Sequence, residues 1–137
     1  MVLKESLRLH PTAFGLIREP IEDVTIGGYT VPKGSLVVIS QHTMHRDPRF
    51  WDQPDKFIPE RFADGYEHSV PRYAYFPFGG GPRICTGQAL AMLESQLILT
   101  MIMQRCRLAV TPGQDIHPRV VFLQRPANGL RATVQAR

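Results

Sequence analysis

The segment "FPFGGGPRICTGQALA", residues 76–91, restricts the possible folds of this chain more than any other stretch. Three glycines and a proline precede Cys85, and a second small-residue turn then leads into an apolar helical pattern. The positive end of a helix dipole favours a thiolate, as does the nearby Arg83. Glycine at positions 79–81 would let the backbone approach a flat partner. The segment therefore predicts a thiolate facing an open, planar space. A buried free cysteine after a glycine turn is the plainer alternative.

The spacing of residues in this segment and elsewhere in the chain excludes several other kinds of site. The glycines do not form G-x-G-x-x-G, because Ile84 occupies the third glycine position, and the phosphate-loop pattern G-x-x-x-x-G-K-[ST] does not occur. The letters "HRD" at 45–47 also occur in kinase catalytic loops, but Asp52 stands where such a loop has asparagine. A nucleophilic cysteine needs a partner histidine, and the sequence alone places none of the five histidines beside Cys85.

Composition narrows the class of protein. The length of 137 residues suits one domain with a modest core. The net charge is +4, but the sixteen Lys and Arg residues are scattered. A solvated mixed surface is therefore favoured over a basic face for an acidic partner, and no nucleic-acid groove is indicated. Two cysteines give neither a disulfide framework nor a zinc pair, which favours a cytoplasmic setting. The start of the chain does not resemble a signal peptide, and the apolar run at 97–103 is too short to cross a bilayer.

Hydrophobic periodicity predicts both helices and strands. Residues 1–10 predict a short amphipathic helix that ends at Pro11, and residues 12–40 predict strands joined by Gly- and Pro-containing turns. Residues 41–75 are rich in proline, charge and aromatic side chains, which predicts irregular backbone that is either functional or braced against a larger structure.

The C-terminal part contains the strongest helical pattern. Gln88 to about Arg105 has apolar residues around most of its circumference, so we expect a helix buried on several sides. The tail predicts short strands joined by turns at Pro112-Gly113 and Asn128-Gly129.

A family resemblance rests on three motifs that follow one another along nearly the whole chain. Phe78-x-x-Gly81-x-Arg83-x-Cys85-x-Gly87 matches, position for position, the F-x-x-G-x-R-x-C-x-G haem-binding signature of the cytochrome P-450 family.

The other two motifs lie upstream in the family's order. Glu5-x-x-Arg8 resembles the E-x-x-R of the helix called K. Residues 47–62, "DPRFWDQPDKFIPERF", resemble the family segment D-P-x-x-W-x-x-P-x-x-F-x-P-E-R-F.

The resemblance implies an α+β chain that forms the C-terminal part of the mostly helical P-450 fold. Residues 1–137 would form a single partial domain with helix K, small β-sheets, a meander, the cysteine-ligand loop, helix L and a C-terminal β-hairpin. The implied function is that of a haem-thiolate monooxygenase, which inserts one oxygen atom of O₂ into a small, hydrophobic organic substrate. A ferredoxin or a flavoprotein reductase would supply the electrons.

The resemblance does not extend to the distal helix that delivers protons to bound oxygen, so we expect little activity from this chain by itself. Two alternatives stay open. The chain could be a truncated, non-catalytic product that binds haem weakly or not at all, or part of a haem-thiolate catalyst that uses peroxide.

The resemblance also implies roles for individual residues. Cys85 would bind the iron of haem b. The other residues expected at the cofactor are Phe78, Gly81, Arg83, Gly87 and Arg18, with the two arginines on the propionates. Glu5, Arg8 and Arg61 would form a structural triad that holds the 41–75 segment behind the haem. Ala13, Phe14 and Phe122 would line the substrate pocket, and ordinary core packing is the alternative for the two phenylalanines.

Overall fold

The computed structural model describes residues 1–121 and 123–137, apart from the side chains of residues 64 and 66–68. In this part of the chain the elements are α1 (Val2–Leu9), β1 (Gly15–Arg18), β2 (Val24–Ile26), β3 (Tyr29–Val31), β4 (Val37–Ser40), α2 (Gln41–Met44), two 3₁₀ helices (Pro59–His68 and Gly81–Arg83), α3 (Gln88–Arg105), β5 (Cys106–Val110), β6 (Pro118–Val120), β7 (Gln124–Pro126) and β8 (Ala132–Ala136). The predicted first helix and the predicted limits of α3 are confirmed.

The described strands form antiparallel pairs rather than one large sheet. The pairs are β1 with β4, β2 with β3, β5 with β8 and β6 with β7. The turn between β2 and β3 consists of Gly27 and Gly28, with φ of 57° and 87°. Positive φ at both central residues matches the twist of a tight hairpin, and glycine adopts it without strain. The predicted strands in residues 12–40 and in the tail are confirmed.

The core lies between α1 and the proline-rich segment. Its buried apolar side chains are Leu9, Trp51, Phe62, Ala74 and Phe76. Trp51 is completely buried, and its indole Nε1–H donates to the carbonyl of Ala74 at 3.3 Å. The segment predicted to be irregular thus folds around one indole ring, with α2 and the 3₁₀ helix at Pro59–His68 as its helical parts.

Helix α3 differs from the expectation of burial on several sides. None of its residues is buried, and large apolar side chains such as Leu93 and Leu97 are each 55% exposed. The prediction is wrong for the described chain because the apolar residues encircle the helix, whereas its neighbours, α1 and β5, contact a small part of it. Among the described residues, no helix is both long enough and apolar enough to cross a membrane.

Candidate functional site

Cys85 lies between the Gly81–Arg83 3₁₀ helix and α3. Its backbone N–H donates to the carbonyl of Phe78 at 2.9 Å, which closes the loop, and its own carbonyl accepts from the N–H of Gln88 at 3.4 Å. The thiol therefore sits where α3 begins, near the positive end of the helix dipole. Because the side chain is exposed, the alternative of a buried free cysteine is wrong.

A cavity of about 380 Å³ opens beside this thiol. Four residues predicted for the site line it together: Ala13, Phe78, Arg83 and Cys85. Most of the remaining wall is apolar. An apolar cavity with few polar groups is typical of sites for small molecules and cofactors, and this volume falls in their usual range.

Other predicted residues lie outside this cavity. Arg18 lines a separate cavity of about 300 Å³, and its Nη1 donates to the carbonyl of Ile17 at 2.8 Å. Leu16 lines both cavities, so the two are neighbours. Phe14 is 37% exposed, so the alternative of ordinary core packing is wrong for it in the described chain. Phe122 lies outside the described residues.

The three glycines before Cys85 serve different purposes. Gly79 and Gly81 adopt φ of 78° and 68°, where other residues are strained. Gly80 is extended, and a Cβ there would collide with the ring of Tyr73. A Cβ on Gly81 would meet no atom within 4 Å. A Cβ is thus excluded at Gly80 by Tyr73, whereas the surroundings of Gly81 are open, and the approach of a flat partner to this loop stays a prediction.

Tyr73 itself has a left-handed backbone, with φ of 69°. A bulky residue in this region costs about 1–3 kcal/mol, so surrounding contacts must hold it. Its ring packs edge-on against Phe76 at 6.3 Å between centroids. Sequence reasoning missed this residue because no local pattern indicates a left-handed tyrosine.

The structure brings the three predicted triad residues together. Glu5 and Arg8 are completely buried, with 2.7 Å between Oε2 of Glu5 and Nε of Arg8. Nε of Arg61 lies 3.5 Å from Oε1 of Glu5, and the Arg61 side chain is 7% exposed. The same Oε1 accepts the backbone N–H of Ile58 at 2.8 Å.

Arg8 also binds backbone far along the chain. Its Nη1 donates to the carbonyls of His45 and Pro54, each at 2.7 Å, and its Nη2 donates to the carbonyl of Lys56 at 3.0 Å. Its guanidinium carbon lies 5.2 Å from the centroid of the Trp51 ring. These contacts join α1 to the proline-rich segment, and no side-chain motif could have predicted them because the acceptors are backbone groups.

Sequence reasoning also missed a second buried polar pair, Gln41 and His45. Both side chains are completely buried and both contact the backbone of Phe76. The pKa of His45 is lowered from 6.5 to about 4, mainly because of burial and in smaller part because of the nearby charge of Arg8, and backbone hydrogen bonding opposes this shift. The available signal was the four-residue spacing of the two side chains, which is that of one face of a helical turn, far upstream of the cysteine segment.

Comparison with known proteins identifies the family. A family model described as Cytochrome P450 matches residues 1–130. Cytochrome P450 3A11 of Mus musculus is 46% identical over 104 residues, which are 76% of this chain and 21% of that protein. Cytochrome P450 3A7 of Homo sapiens is 42% identical over the same length and with the same coverage. The chain thus spans about a fifth of the length of the curated relatives it matches.

Solved structures agree with this assignment. A retinoic acid-bound cyanobacterial CYP120A1 is similar over 98% of this chain and 32% of that structure, with a TM-score of 0.92 and 40% identity. The haem domain of cytochrome P450DA gives a TM-score of 0.90 at 29% identity, over 98% of this chain and 30% of that one. The predicted α+β partial P-450 fold is confirmed. The chain belongs to the cytochrome P450 family.

Proposed function

We propose that this chain supplies the cysteine ligand and the surrounding proximal structure of a haem-thiolate monooxygenase. The observation that supports this most directly is the exposed thiol of Cys85 at the start of α3, beside an apolar cavity that also contains Arg83. The cofactor would be haem b. With a thiolate ligand, haem supplies the electron-rich iron needed to activate dioxygen.

The residues around Cys85 fit this cofactor. Gly87 lies next to the sulfur, since a Cβ built there would stand 3.9 Å from it, at ordinary contact distance. The surroundings of Gly81 are open, and Phe78 offers an apolar surface in the cavity that contains Cys85. Arg83 provides a cation that can bind a carboxylate of the cofactor.

Other residues would act around this centre. Arg18 would bind the second propionate from the neighbouring cavity, and Ala13 and Leu123 would line the substrate side. The buried cluster of Glu5, Arg8 and Arg61 would hold the proline-rich segment behind the cofactor. In the whole protein, a ferredoxin or flavoprotein reductase would deliver electrons and one oxygen atom would enter a small hydrophobic substrate. A cytoplasmic location also stays a prediction.

A second candidate is a chain that binds haem weakly or not at all and does not catalyse. The exposure of α3 supports it, because large apolar side chains of the helix that follows Cys85 stay uncovered among the described residues. Peroxide as the oxidant is compatible with the same proximal structure.

The reduced carbon-monoxide difference spectrum of the chain loaded with haem tests both candidates. We expect a thiolate-type Soret band in the wild type and in Cys106→Ala, and its loss in Cys85→Ala. An unchanged thiolate band in Cys85→Ala contradicts the proposal. A wild-type chain that gives an imidazole-type band, or none, favours the second candidate.

A further inference from the structure

Two buried side chains hold both polar backbone groups of Phe76. Nε2 of Gln41 donates to the carbonyl of Phe76, and the N–H of Phe76 donates to Nε2 of His45 at 2.9 Å. Gln41 is the first residue of α2, and His45 directly follows the last residue of this helix. The N–H of His45 donates to the Gln41 carbonyl at 2.9 Å. The helical turn thus directs both side chains to the same peptide backbone.

The chemistry of these contacts fixes the orientation of both side chains. A carbonyl can only accept, so the amide NH₂ of Gln41 must face Phe76. Oε1 of Gln41 is then buried without a hydrogen-bond partner among the described residues. The imidazole of His45 must keep Nε2 unprotonated to accept from Phe76. An unpaired buried acceptor is unfavourable, which favours a specific role for Gln41 at this position over simple packing.

Phe76 stands at the base of the cysteine loop. Its carbonyl also accepts the N–H of Gly79 at 2.8 Å, and two residues further on Phe78 accepts the N–H of Cys85. Gln41 moreover lines the cavity that contains Cys85. A displacement of Phe76 would therefore shift the turn that carries the Cys85 sulfur.

We infer that Gln41 and His45 are positioning residues that clamp Phe76 and thereby hold the cysteine loop in the geometry in which Cys85 binds iron. Neither side chain touches the reacting atoms. The inference rests on the proposed function for its consequence at the iron, but the clamp itself can be measured without haem.

Gln41→Met is the sharpest variant, because methionine keeps the approximate size and removes both the donor and the unpaired acceptor. Hydrogen–deuterium exchange of the haem-free chain should become about fivefold faster at the amides of Gly79 and Cys85, the change expected for loss of one neutral hydrogen bond. The amides of β5 should exchange as in the wild type, and the unfolding midpoint should fall only by the small amount expected for one hydrogen bond. Gln135→Met, on an exposed strand, is the matched control and should change neither region.

The haem-loaded protein gives the second readout. Gln41→Met should increase the fraction of the reduced carbon-monoxide complex that lacks the thiolate-type Soret band, whereas Gln135→Met should not. Loop exchange and spectra equal to those of the wild type overturn the inference. Loss of the thiolate band in Cys85→Ala concerns the proposed function alone, since the exchange measurement uses no haem.

A second variant tests the other half of the clamp. His45→Leu should accelerate exchange in the loop, whereas His42→Leu, within the adjacent helix α2, should not. The fluorescence of the buried Trp51 monitors global unfolding in both variants. Equal loop exchange in the two histidine variants overturns the role of His45. If His45→Leu unfolds the chain, Gln41→Met decides the inference.

Discussion

Nη1 of Arg8 donates a hydrogen bond of 2.7 Å to the backbone carbonyl of His45, whose imidazole in turn accepts the N–H of Phe76. A continuous polar path therefore runs from the buried ion pair on α1 to the base of the cysteine loop. Two parts of the chain that are far apart in sequence are fixed relative to each other by this path.

Removal of the Arg8 charge should destabilise the chain strongly. Arg8→Met leaves Glu5 as a buried charge with Arg61 as its remaining ionic partner, and three backbone carbonyls lose their donor. We expect the free energy of unfolding to fall by about 3–5 kcal/mol in urea titrations. Arg49→Gln, which breaks an exposed ion pair with Asp47, is the control and should have little effect. Similar effects for the two variants would show that the buried cluster is not a special source of stability.

Trp51 should report the integrity of the core. It is the single tryptophan of the chain, is completely buried, and contacts the guanidinium of Arg8. Its fluorescence should resist acrylamide quenching until the chain unfolds. Trp51→Phe removes the bond to the Ala74 carbonyl and leaves a cavity, so we expect a loss of about 1–3 kcal/mol. Ready quenching in the native state would contradict the described packing.

The stability of the chain should depend on pH below neutrality. Burial lowers the pKa of His45 to about 4, whereas the unfolded chain binds this proton near pH 6.5. Between these values the unfolded state holds the extra proton, so the free energy of unfolding falls as the pH falls. At about 1.4 kcal/mol per pKa unit, the loss approaches about 3 kcal/mol at pH 4. Burial also lowers the pKa values of His10 and His42, which act in the same direction.

Urea titrations between pH 7.5 and pH 4 test this dependence. The variant His45→Gln should flatten the profile, because it removes the group with the largest change in pKa. A profile of the same slope in this variant would show that other groups cause the acid sensitivity.

Gly80 and Tyr73 should be energetically coupled. Gly80→Ala places a Cβ against the Tyr73 ring and should lower the unfolding midpoint. Tyr73→Gly removes both that ring and the left-handed strain at φ 69°. In a double-mutant cycle, Gly80→Ala should therefore cost much less in the Tyr73→Gly background. Additive effects would mean that the collision does not limit position 80.

The exposed side of α3 should bind hydrophobic dyes. Leu93 and Leu97 lie one turn apart, and both are more than half exposed. The native chain should therefore increase the fluorescence of anilinonaphthalene sulfonate, and Leu93→Lys/Leu97→Lys should reduce the signal without lowering the unfolding midpoint. Leu9→Ala, at a buried position, should instead lower the midpoint. Loss of stability in the lysine variant would show that this surface is covered.

Local patterns predicted most of the fold and part of the site. The helix at Gln88–Arg105 follows from its apolar spacing, and the β2–β3 turn follows from two glycines that adopt positive φ. The position of Cys85 at the start of α3 follows from the glycine-rich segment before the helical pattern.

The remainder depends on contacts between distant parts of the chain. Residue types do not encode these contacts, because each involves a backbone group or the space around one. They are the bonds from Arg8 to backbone carbonyls, the clamp on Phe76 and the Tyr73 ring against Gly80. The prediction that α3 is buried was wrong. An apolar circumference indicates that a helix needs covering surfaces, but it does not indicate which of the described elements supply them.

Among the described strands, β6 and β7 pair only with each other, and this arrangement has an evolutionary consequence. The N–H of Gln124 ties this ribbon to the segment between α1 and β1 by a bond of 2.8 Å to the Thr12 carbonyl, and Leu123 lies at the cavity beside Cys85. Because Leu123 is about half exposed and lies outside the buried charges of α1, substitutions of Leu123 should change this cavity at little cost to folding. Sequences that share this buried cluster can therefore differ in the wall of the cavity beside Cys85.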